Sequence, residues 1–183
     1  MWPAIIISGI LVIIIIIFIS VYNKLVKLRL RVENQWSQVD VRLKERFDLI
    51  PNLVETVKGY ASHEKETLEN VINARNRAVS ARTPEEAIDS EKGFQGALSR
   101  LFALAESYPD LKANTNFMDL QRKLSDMESK IAKYRQFYND SVMRYNQTKA
   151  VFPNNIVANM FGFEDKQFFT IETAEKEVPK VSF

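Results

Sequence analysis

Cysteine is absent from this chain of 183 residues, and histidine occurs once, at His63. The first absence excludes disulfides, thiolate metal sites and a lipid-modified N-terminal cysteine. It also removes any Cys/His pair, and leaves a Ser/His/Asp arrangement nothing but His63 to build on. His63-Glu64 is half of a zinc motif, yet no second histidine stands four residues on or anywhere else. A carboxylate-rich metal site of the ferritin-like kind needs Glu-x-x-His on two helices, which this sequence cannot supply. Glycine (5) and proline (6) are sparse and fall at segment edges or singly, so phosphate-cradling loops and low-complexity linkers are missing. Neither sign of charge dominates: 25 Lys+Arg stand against 23 Asp+Glu, without the basic field that nucleic-acid binding needs. These absences predict a non-enzymatic protein with no cofactor, no metal and no nucleic-acid partner.

What the chain has is one long apolar run. Residues 2–22 carry no charge and include five consecutive isoleucines, Ile13 to Ile17; Lys24, Lys27, Arg29 and Arg31 then follow. About twenty helical residues cover roughly 30 Å, the thickness of a bilayer's hydrocarbon core. A helix satisfies its own backbone in lipid, so the run predicts a transmembrane anchor over 1–22. A cleaved signal peptide fits less well, since no Lys or Arg precedes the run and no small-x-small site follows it. The four cations place the following domain in the cytoplasm and Met1 outside by the positive-inside rule. They are also the expected contacts with anionic headgroups.

Beyond the anchor the pattern is helical throughout. Leu25, Leu28, Val32, Trp36, Val39, Leu43, Phe47, Ile50, Val54, Val57 and Ala61 recur at steps of three and four, as an amphipathic helix requires. Their period is close to eleven residues, which favours straight or slightly right-handed packing. Pro51 removes an amide donor and crowds the carbonyl of Phe47, predicting a kink at a cost of about 3 kcal/mol if nothing compensates. Gly59 to Ser62 is a second break point, with Ser62 as an N-cap. One kinked helix over 23–81 and two helices meeting near Gly59 both fit. Thr83-Pro84-Glu85-Glu86 reads as a capping box opening a helix over 84–107. A last long helix spans 115–152 and stops at Pro153. The bundle thus covers 23–153, and the tail 154–183, rich in Ile156, Val157, Met160, Phe161, Phe163, Phe168, Phe169, Val178, Val181 and Phe183, is expected to pack on the bundle or on a partner.

Specific strings carry a resemblance. Tyr22-Asn23-x-Leu25-Val26, Asn34-x-Trp36-Ser37-Gln38-Val39-Asp40, Arg46-x-Asp48-Leu49-Ile50-Pro51-Asn52 and Ala74-Arg75 open the series. Tyr108-Pro109, Glu128-x-x-Ile131, Arg135-x-x-Tyr138-Asn139, Tyr145-Asn146, Phe152-Pro153 and Phe161-Gly162-Phe163 continue it. Together they resemble the LemA family of bacterial membrane proteins across nearly the whole chain. The resemblance implies an all-α fold: an N-terminal transmembrane helix continuing into an antiparallel, LemA-like four-helix bundle. It implies no enzymatic activity. It further implies a place beside a membrane metalloprotease and, in some relatives, membrane remodelling around magnetosomes. Family members with a lipid-modified cysteine face away from the cytoplasm, and this chain departs from them.

The polar motif residues flank the apolar stripes. Asn34, Asp40, Arg46 and Asp48 on the first helix are expected to meet Glu128, Arg135, Asn139 and Asn146 on the last, fixing helix register or forming a partner surface. Trp36, Pro51, Asn52, Tyr138, Tyr145, Phe152 and Pro153 join them as interhelix or partner contacts. The function expected is a membrane scaffold or adaptor whose partners are the bilayer and other membrane proteins, a metalloprotease among them. The alternative is a homo-oligomer that organises or shapes the membrane.

Overall fold

The computed structural model describes residues 2–170. Among them the chain is helical and contains no strand, in the order α1 Trp2–Lys58, α2 Lys65–Ser80, α3 Pro84–Ala105, α4 Pro109–Lys112, α5 Thr115–Ala150 and α6 Asn154–Met160. It divides into two compact units: the chain up to Val39 with Lys133–Phe168, and Asp40–Ala132 with the described residues from Phe169. α1 and α5 each lend a stretch to both.

In the first unit, Leu25, Val32 and Val39 of α1 are buried, as are Tyr138, Val142 and Tyr145 of α5 and Val157 and Ala158 of α6. The Trp36 and Tyr138 rings meet edge-on at 5.4 Å. Ahead of this core the apolar run of α1 is uncovered; Ile6 and Ile16, for example, are each 60% exposed. Among the described residues α1 is the one helix long and apolar enough to cross a membrane. α6 ends in a Schellman turn: Gly162 takes φ +65°, and the Phe163 amide donates to the Ala158 carbonyl at 2.9 Å. Glycine adopts that conformation without a Cβ penalty. From there Phe163 turns inward and the chain continues without helix or strand to Thr170.

The second unit gathers α1 from Asp40, α2, α3, α4 and α5 up to Ala132. Leu43, Phe47, Ile50, Leu53, Val54 and Val57 fill its core from α1, against Leu68 and Val71 of α2 and Phe94, Leu98 and Leu101 of α3. Phe47 meets Phe94 edge-on at 5.0 Å, and Phe102 meets Phe117 at 6.3 Å. α3 and α5 run antiparallel: Glu91 and Glu128 meet at one arginine, while Phe102, farther along α3, meets Phe117, earlier in α5. The expected cap of α3 is present, with Thr83 Oγ1 accepting from the Glu86 amide at 3.2 Å. The return bond differs from a standard capping box: Glu86 Oε2 accepts from the Arg82 amide, one residue earlier, at 2.8 Å.

Two expectations about breaks resolve differently. α1 ends at Lys58 and α2 starts at Lys65, so the chain does turn near Gly59. Ser62 does not cap α2, because the Glu64 amide closes a turn onto the Ala61 carbonyl and leaves Ser62 inside it. Pro51, in contrast, lies inside a helix that continues. The Phe47 carbonyl, four residues back, has lost its intrahelical donor, and Arg75 Nε of α2 donates to it at 3.0 Å. An arginine from the neighbouring helix thus supplies the bond that proline removes. Among the tail residues Val157, Phe163 and Phe169 are buried, whereas Ile156, Met160, Phe161 and Phe168 are exposed; Val178, Val181 and Phe183 lie outside the described residues.

The Pro51–Arg75 relation is testable by coupled substitution. Arg75→Ala should destabilise the chain by about 1–3 kcal/mol through the orphaned carbonyl. In a Pro51→Ala background, where the helix regains its own donor, most of that loss should disappear in urea unfolding of the detergent-solubilised protein. Equal losses in both backgrounds would show that Arg75 acts elsewhere.

Candidate functional site

Two polar constellations stand out, one in each unit. In the second unit the Arg46 guanidinium is fully buried and bonded on both edges. Nη2 donates to Glu91 Oε2 of α3 at 2.5 Å, and Nη1 donates to Glu128 Oε1 of α5 at 2.7 Å. Its Cζ lies 4.6 Å from the Phe94 ring centroid and 5.1 Å from that of Phe47. Glu91 is as buried as the arginine, while Glu128 keeps its side chain 39% exposed. Burial by itself lowers the arginine's pKa, but hydrogen bonds and charge from Glu91 and then Glu128 outweigh it, leaving the group above its ordinary range. Glu91 Oε1 and Arg46 Nε are buried with no hydrogen-bond partner. The Arg46 and Glu91 side chains are withdrawn from solvent, and one cation ties α1, α3 and α5 together.

In the first unit, α5 clamps the irregular segment after α6. Tyr145 Oη donates to the Glu164 carbonyl at 2.9 Å, and Tyr138 Oη donates to the Gln167 carbonyl at 2.9 Å. Asn146 makes both bonds of a peptide pair: Nδ2 donates to the Lys166 carbonyl at 2.9 Å and Oδ1 accepts from the Lys166 amide at 3.0 Å. Lys149 Nζ meets Asp165 at 2.7 Å. Residues 138, 145 and 149 fall close to whole helical turns apart, so they share one face of α5. Burial, opposed by Arg29 and aided by Asp165 and Glu164, raises the pKa of Tyr145, which keeps it a donor. Segment 164–167 has neither helix nor sheet to satisfy its backbone, and these side chains take over that role.

Lys24, Lys27 and Arg31 are exposed, whereas Arg29 is half-buried with its guanidinium 5.4 Å from the Phe163 ring centroid. Asn34, Pro51 and Asn52 are exposed, and Asp40 pairs with Lys44 of its own helix at 2.6 Å. Asp48 lies 3.9 Å from Arg75 and is mostly exposed. Arg135 and Asn139 are half-buried on α5, Phe152 is exposed, and the Phe152–Pro153 peptide is cis. Of the cross-helix meetings expected, Arg46 with Glu128 is formed, whereas Asn146 turns to Lys166. Sequence reasoning missed Glu91, Arg75 and the clamped segment. Glu91 had a signal, since it falls three residues after Ile88 and three before Phe94, in phase with the apolar stripe of α3.

No group of three or more His, Cys, Asp or Glu among the described residues is placed to hold a metal. His63 is exposed in the turn after α1. A surface groove of about 490 Å³ between α2 and α3 is lined by Asn70, Asn73, Arg77, Asp89 and Arg100. Its one hydroxyl, Ser90, donates to the Ala87 carbonyl of its own helix, and no histidine lines the groove to act as its base.

The LemA family model matches residues 35–183. The chain is 24% identical over 174 residues to magnetosome protein MamQ of Magnetospirillum gryphiswaldense, an alignment covering 81% of this chain and 64% of that protein. The same identity and coverage hold for magnetosome protein MamQ 2 of Paramagnetospirillum magneticum. It is 26% identical over 164 residues to protein LemA of Metamycoplasma hominis, covering 87% of this chain and 74% of that one. The chain therefore spans just under two thirds of the length of the magnetosome relatives it matches.

Each constellation yields an expected outcome. Glu91→Leu or Arg46→Met alone, leaving one charge buried without its partner, should destabilise by about 3–5 kcal/mol. The Arg46→Met/Glu91→Leu double variant should lose much less than the two singles together, read by chemical denaturation; additive losses would rule out the coupling. For the clamp, Asn146→Asp keeps the acceptor for the Lys166 amide but sets an oxygen against the Lys166 carbonyl. It should cost about 1–3 kcal/mol and speed amide exchange at residues 164–167, with α2 and α3 unchanged. Unaltered exchange there would mean that the segment is held by other contacts.

Proposed function

The chain belongs to the LemA family, and on that premise we propose that it is a single-pass, membrane-anchored, non-enzymatic scaffold or adaptor at the bacterial cell membrane. One observation carries the reading: the apolar run of α1 stands uncovered, whereas α2, α3 and α5 each bury an apolar stripe. Exposed isoleucines in this number mark a surface meant for lipid or protein, and the length suits a bilayer. The exposed cations Lys24, Lys27 and Arg31 favour a cytoplasmic bundle. A scaffold needs a rigid body more than a reactive one, and a bundle pinned by a buried ion cluster suits that role. The partners proposed are the bilayer and other membrane proteins; a membrane metalloprotease among them rests on the family resemblance.

The second reading is self-assembly that organises or shapes the membrane. Leu30 of α1 and Phe137 and Met143 of α5 favour it, being apolar and uncovered beyond the anchor. The names of the magnetosome relatives place those proteins with magnetosomes, which suits either reading.

Two measurements test the proposal. Alkaline phosphatase fused after the bundle should be inactive in cells while a fluorescent-protein fusion is bright, and the reverse result would invert the topology. Cross-linking in intact membranes followed by purification of the full chain should recover other membrane proteins for the scaffold, or a ladder of copies for self-assembly. Recovery of the lone monomer would sink both.

A further inference from the structure

The end of α5, α6 and its capping turn form an uncharged surface. Ala150 through Phe163 contain no Asp, Glu, Lys or Arg, in a sequence where charged residues make up 26%. Asn154, Val157 and Ala158 turn inward, while Phe152, Ile156, Met160 and Phe161 face out. Phe152 is 78% exposed and Met160 67%. Ile156 and Met160, four residues apart on α6, share one side of the short helix, and Phe152 is exposed in the turn before it.

Where this surface lies along α1 decides what covers it. The Phe161 ring sits 4.7 Å from Tyr22 and 5.8 Å from Phe18. Phe18 precedes Lys24, the first cation after the apolar run, by about 9 Å of helix, and Tyr22 precedes it by about 3 Å. Phe161 is therefore level with the last turn of the apolar run, on its hydrocarbon side. Gly162 fixes the arrangement: its left-handed turn sends Phe163 inward under Arg29 and leaves Phe161 against the anchor helix. Tyr22 at that depth matches the aromatic belt at the headgroup level, and the Phe161 ring packs against it. An uncharged apolar face beside them matches an interfacial helix buried roughly 5–10 Å into the acyl boundary.

We propose that the α6 face, through Phe152, Ile156, Met160 and Phe161, inserts into the headgroup–acyl boundary of the same bilayer that holds α1. The inference rests on reading residues 2–22 as the membrane span. The first unit then touches the membrane twice, by a span and by a shallow wedge beside it. A second copy of the chain is the competing occupant. Contact with the anchor's own last turn favours lipid, because any bilayer around Phe18 is already adjacent to Phe161.

The absence of cysteine makes the test direct. Ile156→Cys and Met160→Cys, each the sole thiol in the full chain, are labelled with an environment-sensitive fluorophore and reconstituted into phosphatidylcholine/phosphatidylglycerol vesicles. Nitroxides carried at a shallow or a deep acyl position, and aqueous iodide, serve as quenchers. Ile13→Cys reports the span and Val79→Cys, exposed on α2, reports water. The expected result is blue-shifted emission at 156 and 160, quenched more by the shallow nitroxide than by the deep one, with Ile13→Cys showing the opposite order. Labels at 156 and 160 that behave like Val79→Cys, while Ile13→Cys is quenched in lipid, overturn the wedge and leave the span standing. Blue-shifted labels that neither nitroxide nor iodide reaches mean that protein covers the face, which also overturns it. An Ile13→Cys label untouched by nitroxide removes the span, and the wedge with it.

Discussion

Every peptide carbonyl withdrawn from water must accept a hydrogen bond or cost roughly 1–3 kcal/mol, and this constraint shapes the chain from end to end. Helix is the cheapest answer, since each turn satisfies itself, and it serves α1 through its apolar run as well as through its packed part. At Pro51 and in the irregular segment after α6, where helix leaves carbonyls without donors, side chains from another segment intervene. Arg75 donates to the Phe47 carbonyl that Pro51 leaves without a partner. Tyr138, Tyr145 and Asn146 donate to the carbonyls of an irregular segment. Both solutions bind distant parts of the sequence together, so an irregularity in one element becomes a fastening for another.

The buried arginine follows a related logic with charge in place of dipoles. Removing a guanidinium from water is expensive, and two carboxylates plus two aromatic faces offset that cost without a large net gain. What the cluster supplies is selectivity. A hydrophobic seam between α1, α3 and α5 tolerates sliding by a turn, because one leucine resembles another. A slip at Arg46 would strand a full charge in the core, so the correct register is separated from its neighbours by much more than packing alone provides. Apolar stripes supply the bulk of the stability, and the ion cluster penalises any packing that leaves Arg46 without Glu91 and Glu128.

The helices were legible because their information is local. Steps of three and four located the stripe of α1, and Thr83-Pro84 marked the start of α3 to the residue. The same reading identified Pro51 as a defect and Phe47 as the carbonyl at risk. It could not identify Arg75 as the remedy, because that bond depends on how α2 packs against α1. Glu91 was hidden differently: it stands beside Asp89 and Lys92, in what reads as a solvated stretch, although its phase with Ile88 and Phe94 points inward. Tyr138, Tyr145 and Asn146 were singled out without their roles. An amide that pairs with a backbone twenty residues away leaves no periodic trace, and the segment it holds carries no turn or helix signal. Ser62 shows the converse error, a good capping residue set inside a turn that has no helix to cap.

The phase of α1 links its apolar run to the core of the first unit in a way that neither suggests alone. Phe18, Tyr22, Leu25, Arg29, Val32, Trp36 and Val39 recur at steps of three and four along one side of the helix. Phe18 and Tyr22 meet the Phe161 ring, Leu25 and Val32 are buried, Arg29 covers Phe163, and Trp36 meets Tyr138. A single face thus passes from the end of the apolar run into the core of the unit without changing sides. An unbroken helix cannot rotate at one end independently of the other over these few turns, because each turn is fixed by its own hydrogen bonds. Rotation of the apolar run about its axis must therefore carry α6 and the clamped segment with it. A flexible tether would leave the two free of each other; this connection sets which side of the apolar run the α6 turn occupies.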